Sequence, residues 1–210
     1  MLKGYFNNTC KSIKAKFIDQ EIEKLVASSK RNQKSALVFH SLHDESGDFI
    51  RHAEVSEFQK STKNHSVNLI SGSLKLEIQR KMALNQKKYD KIVFRGHANT
   101  DIISIGKAFL KKSSTKTLNW LKRHAKKGCT IVIEGCCAGK GDENIARDIS
   151  RACPHATVYA SETLVYSDNI KYDENGIPTF TYFGRESTRI YRNGELLSPP
   201  RNEPLFDLFP

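Results

Sequence analysis

Short apolar runs rich in β-branched residues alternate along this chain with longer stretches whose apolar positions recur at helical steps. S-A-L-V-F-H-S (35–41), H-S-V-N-L-I-S (65–71), D-K-I-V-F-R (90–95), T-I-V-I-E (130–134) and A-T-V-Y-A-S (156–161) predict strands. Between them lie helical patterns. Phe17, Ile18, Ile22, Leu25 and Val26 predict a helix over 11–29, and Leu74, Ile78 and Met82 one over 73–84. T-K-T-L-N-W-L-K-R-H-A-K-K-G (115–128) has a basic last turn and a glycine stop, both suited to a helix C-terminus. Residues 142–152 predict a helix with Asp142, Glu143 and Asn144 at its start, whereas 54–60 suits either a helix or an extended segment. From Ile177 to Leu197 the pattern is hairpin-like, and S-P-P-R-N-E-P is read as extended. Apolar strands alternating with helices imply a mostly parallel sheet covered on both faces. The expected organisation is a basic helical extension over 1–30, an α/β domain over 31–200 and an extended tail over 201–210.

Sites in such sheets lie at the carboxyl ends of strands. Two predicted strands end in chemistry-bearing residues: K-I-V-F-R runs into Gly96-His97-Ala98, and T-I-V-I-E into G-C-C-A-G-K-G (135–141). A P-loop does not fit, because Gly135 to Gly139 is one residue short and Gly141 follows Lys140 where a hydroxyl should bind magnesium. Structural zinc would want a second ligand pair, and no C-x-x-C redox motif is present. G-C-C-A-G matches a nucleophile elbow with Cys137 attacking, but only His155 follows it, against the chain order of that fold. What remains is a cysteine nucleophile paired with the upstream His97. An imidazole beside a thiol raises the thiolate population and later protonates the leaving amine. Backbone N–H groups near Cys136 and after His97 are placed to meet a developing oxyanion. The competing reading is a pair of small structural thiols in a tight turn.

Composition narrows the setting. The chain has 210 residues, 38% hydrophobic and 27% charged, with a formal net charge of +11. The basic excess suits a polyanionic ligand, but no zinc finger, aromatic RNA-binding motif or basic heptad helix is present, so nucleic acid is not the expected partner. No run approaches the roughly 18–20 apolar residues that span a bilayer. Five cysteines, two of them adjacent, make a poor disulfide framework and suggest a reducing compartment. The first residues, M-L-K-G-Y-F-N-N-T-C-K-S, lack the apolar stretch of a secretory signal, so a cytoplasmic location is expected.

The two blocks K-I-V-F-R-G-H-A and T-I-V-I-E-G-C-C-A-G-K-G resemble those of the caspase-like (clan CD) cysteine peptidases. That group includes caspases, metacaspases, gingipains, CHAT domains and the self-processing domains of large bacterial toxins. The resemblance extends in element order from about Ser35 to Ser161 and lies nearest the toxin-processing, CHAT and metacaspase types. It implies a three-layer α/β fold with a mostly parallel sheet, a C-terminal β-hairpin and a peptide-cleaving His97/Cys136 dyad. Glycine three residues after the nucleophile is the metacaspase and CHAT pattern, and Gly139 then selects Cys136; the caspase spacing would select Cys137. The oxyanion donors implied are the N–H groups of Ala98 and Cys136. Ala98 departs from the glycine usual at its position and tolerates fewer backbone angles. Glu134, two residues before Cys136, stands where metacaspases carry an acid facing a basic P1 side chain. Ser161 and Glu162, after the next strand, are candidate substrate contacts. No cofactor is required by the resemblance; inositol hexakisphosphate or another polyanion is a candidate activator, as in the toxin domains. The pattern also fits a bacterial effector acting in a host cytosol. Two other classes stay open: a catalytically silent module that binds a protein or polyanion, and a basic nucleic-acid-binding domain.

Overall fold

The computed structural model describes residues 20–29, 34–40, 52–71, 88–105 and 108–197. In chain order its elements begin with helix α1 (20–28), β1 (Lys34–His40), α2 (His52–Ser61), β2 (His65–Ser71) and β3 (Tyr89–Arg95). There follow β4 (His97–Ala98), β5 (Ile102–Ile105), β6 (Ala108–Lys111), α3 (Thr115–His124), β7 (Ala125–Glu134) and α4 (Ile145–Ala152). The last part holds β8 (Thr157–Ser161), β9 (Ile170–Tyr172), β10 (Pro178–Tyr182), β11 (Arg185–Glu186), β12 (Thr188–Arg192) and β13 (Glu195–Leu196).

A seven-stranded sheet in the order β13-β12-β8-β7-β3-β1-β2 forms the centre. The five strands from β2 to β8 in that order are mutually parallel, while β12 runs antiparallel to β8 and β13 antiparallel to β12. Successive strand residues point to opposite faces. Val38, Val93 and Val132 therefore share one face, where they pack with Ile22 and Leu25 of α1, Phe58 of α2, and Ile170 and Phe180. Leu37, Phe39, Ile92, Phe94, Ile131 and Ile133 share the other, beneath Trp120 and Leu121 of α3 and Ile145 and Ile149 of α4. Phe39 stacks on Phe94 with ring centroids 4.9 Å apart. The near-continuous apolar character of β1, β3 and β7 follows from burial on both sides.

The five predicted strands are all present, and 54–60 resolves as part of α2. The helix expected over 115–128 stops at His124. Ala125 already pairs with Tyr89, and Gly128 is not a helix stop but part of an irregularity in β7. There β3 advances by two residues while β7 advances by five, and Gly128 at φ 79° gives its N–H to His155 O at 2.9 Å. Only a residue that tolerates a left-handed backbone makes that detour without strain. The single hairpin expected over 177–197 divides in two: β10 and β11 turn at Phe183-Gly184, and β12 leaves to extend the central sheet before turning back into β13. The small sheet β4-β5-β6 was not legible, because its strands have two to four residues. The helix expected over 73–84, the first part of that over 11–29 and the tail over 201–210 lie outside the described residues. Within the expected N-terminal extension, Ile22 is fully buried in the sheet's valine-bearing face.

Candidate functional site

The parallel register of β3 and β7 ends at Arg95 opposite Glu134. One residue further come Gly96 and Gly135, and one further again His97 and Cys136. The two residues singled out in the sequence thus leave neighbouring strands at the same level of the carboxyl edge. The last backbone bond joining the strands is Gly96 N–H to Glu134 O, long at 3.4 Å. Beyond it the chains part. His97 and Ala98 form β4 and pair with Ser104 and Ile103 of β5, while residues 136–139 turn toward the segment after β8.

That turn is anchored by backbone bonds. Cys137 N–H donates to Thr163 O at 2.8 Å and Gly139 N–H to Ser161 O at 2.8 Å. Tyr191 Oη donates to Gly139 O at 3.2 Å, and Asn144 Nδ2 donates to Gly141 O and to Tyr191 Oη, both at 2.8 Å. Asn144 also N-caps α4 by accepting from Arg147 N–H at 2.9 Å. Cys136 is half-buried, and its sulfur accepts from Val165 N–H at 3.3 Å. Cys137 sits at φ 54°, a left-handed conformation that L-residues seldom adopt, and burial together with the neighbouring Cys136 pushes its thiol up. Cys129 and Cys153 are buried, and desolvation pushes both thiols up to about 12.

Gly135 is required by close approach. A Cβ there would stand 2.6 Å from Ala98 Cβ and 2.8 Å from Gly96 O. The pairing of β4 with β5 fixes the direction of the Ala98 N–H. Asn99 N–H bonds Ile102 O at 3.0 Å, so the alternation of an antiparallel pair makes 97/104 the next bonded pair and 98/103 the unbonded one. The Ala98 N–H consequently points away from β5, on the side where Gly135 lies; Ala98 N is 3.3 Å from the position of a Cβ on Gly135.

The three candidate substrate contacts are all engaged internally. Glu134 is 2% exposed; its Oε2 meets Arg95 Nε at 2.6 Å and its Oε1 accepts from Tyr172 Oη. A basic P1 side chain would have to displace Arg95 to reach it. Ser161 is fully buried and shares hydroxyl hydrogen bonds with Thr163 and Ser187, both at 3.1 Å. Glu162 is buried against the Arg189 guanidinium, with Nε 2.5 Å from Oε2. Arg95, Tyr172, Thr163, Val165, Asn144 and Tyr191 support the site without having been singled out. Apart from the local cap that Asn144 makes with Gly141 and Arg147, the site partners of these residues lie far along the chain; the pairing of Arg95 with Glu134, each the last residue of its apolar run, could have been foreseen. Among the described residues no group of three or more His, Cys, Asp or Glu side chains is placed to hold a metal ion, and no helix is long and apolar enough to cross a membrane.

Fold and site together define a mixed α/β protein whose mostly parallel sheet brings a histidine and a cysteine to adjacent strand ends. No protein-family model matches the chain, and no curated protein matches it.

Proposed function

We propose that this protein is a cysteine endopeptidase of the caspase-like kind, with Cys136 as nucleophile and His97 as general base and acid. The observation that carries the reading is the common register of β3 and β7, which delivers the two residues to the same level of one sheet edge. The strand order, the antiparallel β12 after the parallel run and the small sheet following the histidine are compatible with a caspase-like layout. Cys136 is favoured over Cys137, whose thiol is pushed up by burial and whose backbone lies in the left-handed region at φ 54°.

In this mechanism His97 takes the thiol proton, and the Cys136 sulfur bonds to the scissile carbonyl carbon. The oxygen develops charge where the Ala98 and Cys136 N–H groups can meet it. Collapse of the intermediate breaks the C–N bond, and the amine leaves with the proton from His97. Water, deprotonated by the same imidazole, then cleaves the thioester and regenerates the thiol. No basic P1 requirement is part of the proposal, because Glu134 already holds Arg95.

A second reading is a catalytically silent module of the same layout that binds a protein or polyanion. The internal engagement of Glu134, Ser161 and Glu162 favours it. A polyanion drawn to the basic end of α3, at Lys122, Arg123 and His124, would sit by the amino end of β7, at the opposite sheet edge from Cys136. An iodoacetamide or acyloxymethyl-ketone probe with mass-spectrometric mapping separates the readings. Fast labelling of Cys136 that is lost in His97→Ala supports the peptidase; labelling no faster than a free thiol at the same pH refutes it.

A further inference from the structure

A row of buried polar side chains crosses the carboxyl edge of the sheet on the face that carries α1 and α2. His40 is the register partner of Arg95, and Arg95 of Glu134. By alternation these three share the face of Val38, Val93 and Val132. Ser161 and Thr188, partners of one another on β8 and β12, continue the row. All five are at most 5% exposed. Two charges in such a place are costly to desolvate unless they hold each other, and Arg95 and Glu134 do so across the strands at 2.6 Å. Burial, with Arg95 adjacent, drives the His40 pKa down to about 3, so His40 adds no competing charge.

We propose that Arg95 and Glu134 are positioning residues for the His97/Cys136 dyad, and not a substrate-reading pocket; the proposal rests on the peptidase reading. Arg95 lies two residues before His97, and Glu134 two before Cys136. The backbone ladder between β3 and β7 gives out at this level, its final bond stretched to 3.4 Å. The next residues diverge, one chain toward β5 and the other toward Thr163 and Val165. The side-chain pair is thus the tie that fixes the separation of the strand ends where backbone pairing stops doing so. The Tyr172 hydroxyl holds the second carboxylate oxygen from β9, which removes the remaining rotation of Glu134. Lys91 Nζ lies 5.3 Å from the Tyr172 ring centroid and donates to Ser61 O, joining β9 to β3 and α2 behind the pair.

The test uses the full chain and reads the rate of Cys136 alkylation by iodoacetamide between pH 5 and 9, with thermal unfolding in parallel. In Arg95→Met/Glu134→Leu the buried pair is replaced by apolar side chains of similar size, an exchange that commonly preserves folding. The expected result is cooperative unfolding near the parent temperature with alkylation slowed at least tenfold, and no further slowing when His97→Ala is added. Arg95→Lys, which keeps the charge but loses the guanidinium fork, is the second variant and is expected to recover part of the rate. Should the double variant not fold, parent-level alkylation in a folded Arg95→Lys overturns the proposal. A folded double variant that alkylates at the parent rate, still dependent on His97, overturns it too and leaves the dyad standing. Loss of P1-Lys or P1-Arg cleavage in Glu134→Gln at an unchanged alkylation rate would make Glu134 a substrate contact instead. Slow alkylation of the parent protein removes the dyad, and the positioning role with it.

Discussion

Gly135→Ala is the sharpest single test of how the site is packed. The added Cβ would stand 2.6 Å from Ala98 Cβ, 2.8 Å from Gly96 O and 3.3 Å from Ala98 N. Two of those three atoms are backbone, so no flexible side chain can swing away; β4 or the cysteine turn must move. The backbone angle of Gly135 is not in the left-handed region, which makes the penalty one of overpacking alone, about 1–3 kcal/mol. For a chain of this size that corresponds to a fall in melting temperature of roughly 2–12 °C. The displacement falls between His97 and Cys136, so alkylation of Cys136 should slow on the order of tenfold to a hundredfold, as misplacement by an ångström commonly costs. Gly128→Ala is the control. At φ 79° with nothing within 4 Å of the new Cβ, it carries only the left-handed backbone penalty of about 1–2 kcal/mol. Thermal unfolding and Cys136 labelling would be measured on both. Similar losses of stability with slowed labelling only in Gly135→Ala are expected. An unchanged melting temperature and parent labelling in Gly135→Ala would refute the close contact between the two strand ends.

Three further outcomes follow from the same geometry. Burial lowers the His40 pKa to about 3, below its value near 6.5 in an unfolded chain; the unfolded state then binds more protons between those limits, so stability is retained above about pH 6.5 and is lost as pH falls toward 3. The stability difference between His40→Leu and the parent, measured by urea unfolding, should be flat above pH 7 and shift in favour of the variant at pH 5; no shift would sink the assignment. Thiol mapping of the native protein at pH 8 should find Cys129 and Cys153 unlabelled long after Cys136 and Cys137 have reacted, because their thiols are pushed up to about 12. Asn144→Ala should cost about 1–2 kcal/mol from the lost N-cap alone and more from the freed Gly141 O and Tyr191 Oη, whereas a change below 0.5 kcal/mol in chemical denaturation would show that the cap contributes little.

How far the sequence reaches can be judged at particular residues. The runs ending at Arg95 and Glu134 were legible as buried strands because burial on both faces leaves an uninterrupted apolar signal. His97 and Cys136 were legible as candidates because glycine follows each strand and a nucleophile or base follows the glycine. The end of α3 was misread because Lys122, Arg123, His124 and Gly128 imitate a helix C-terminus. Pairing of Ala125 with Tyr89 overrode that local preference. The small sheet β4-β5-β6 escaped because runs of two to four residues carry no periodicity.

The sequence by itself determined the alternating strands and helices, the mostly parallel sheet they imply, and the strand ends at which chemistry is placed. These are properties of local spacing, set by which side chains must leave water. Only the tertiary structure decided that β3 and β7 are neighbours in a register that brings His97 level with Cys136. It also decided that Glu134 is held by Arg95 and Tyr172, that Val165 lies against the Cys136 sulfur, and that Gly135 must lack a side chain. Those facts depend on partners as far apart in the chain as Arg95 and Glu134 or Glu134 and Tyr172, brought together by strand pairing and core packing that no local pattern records.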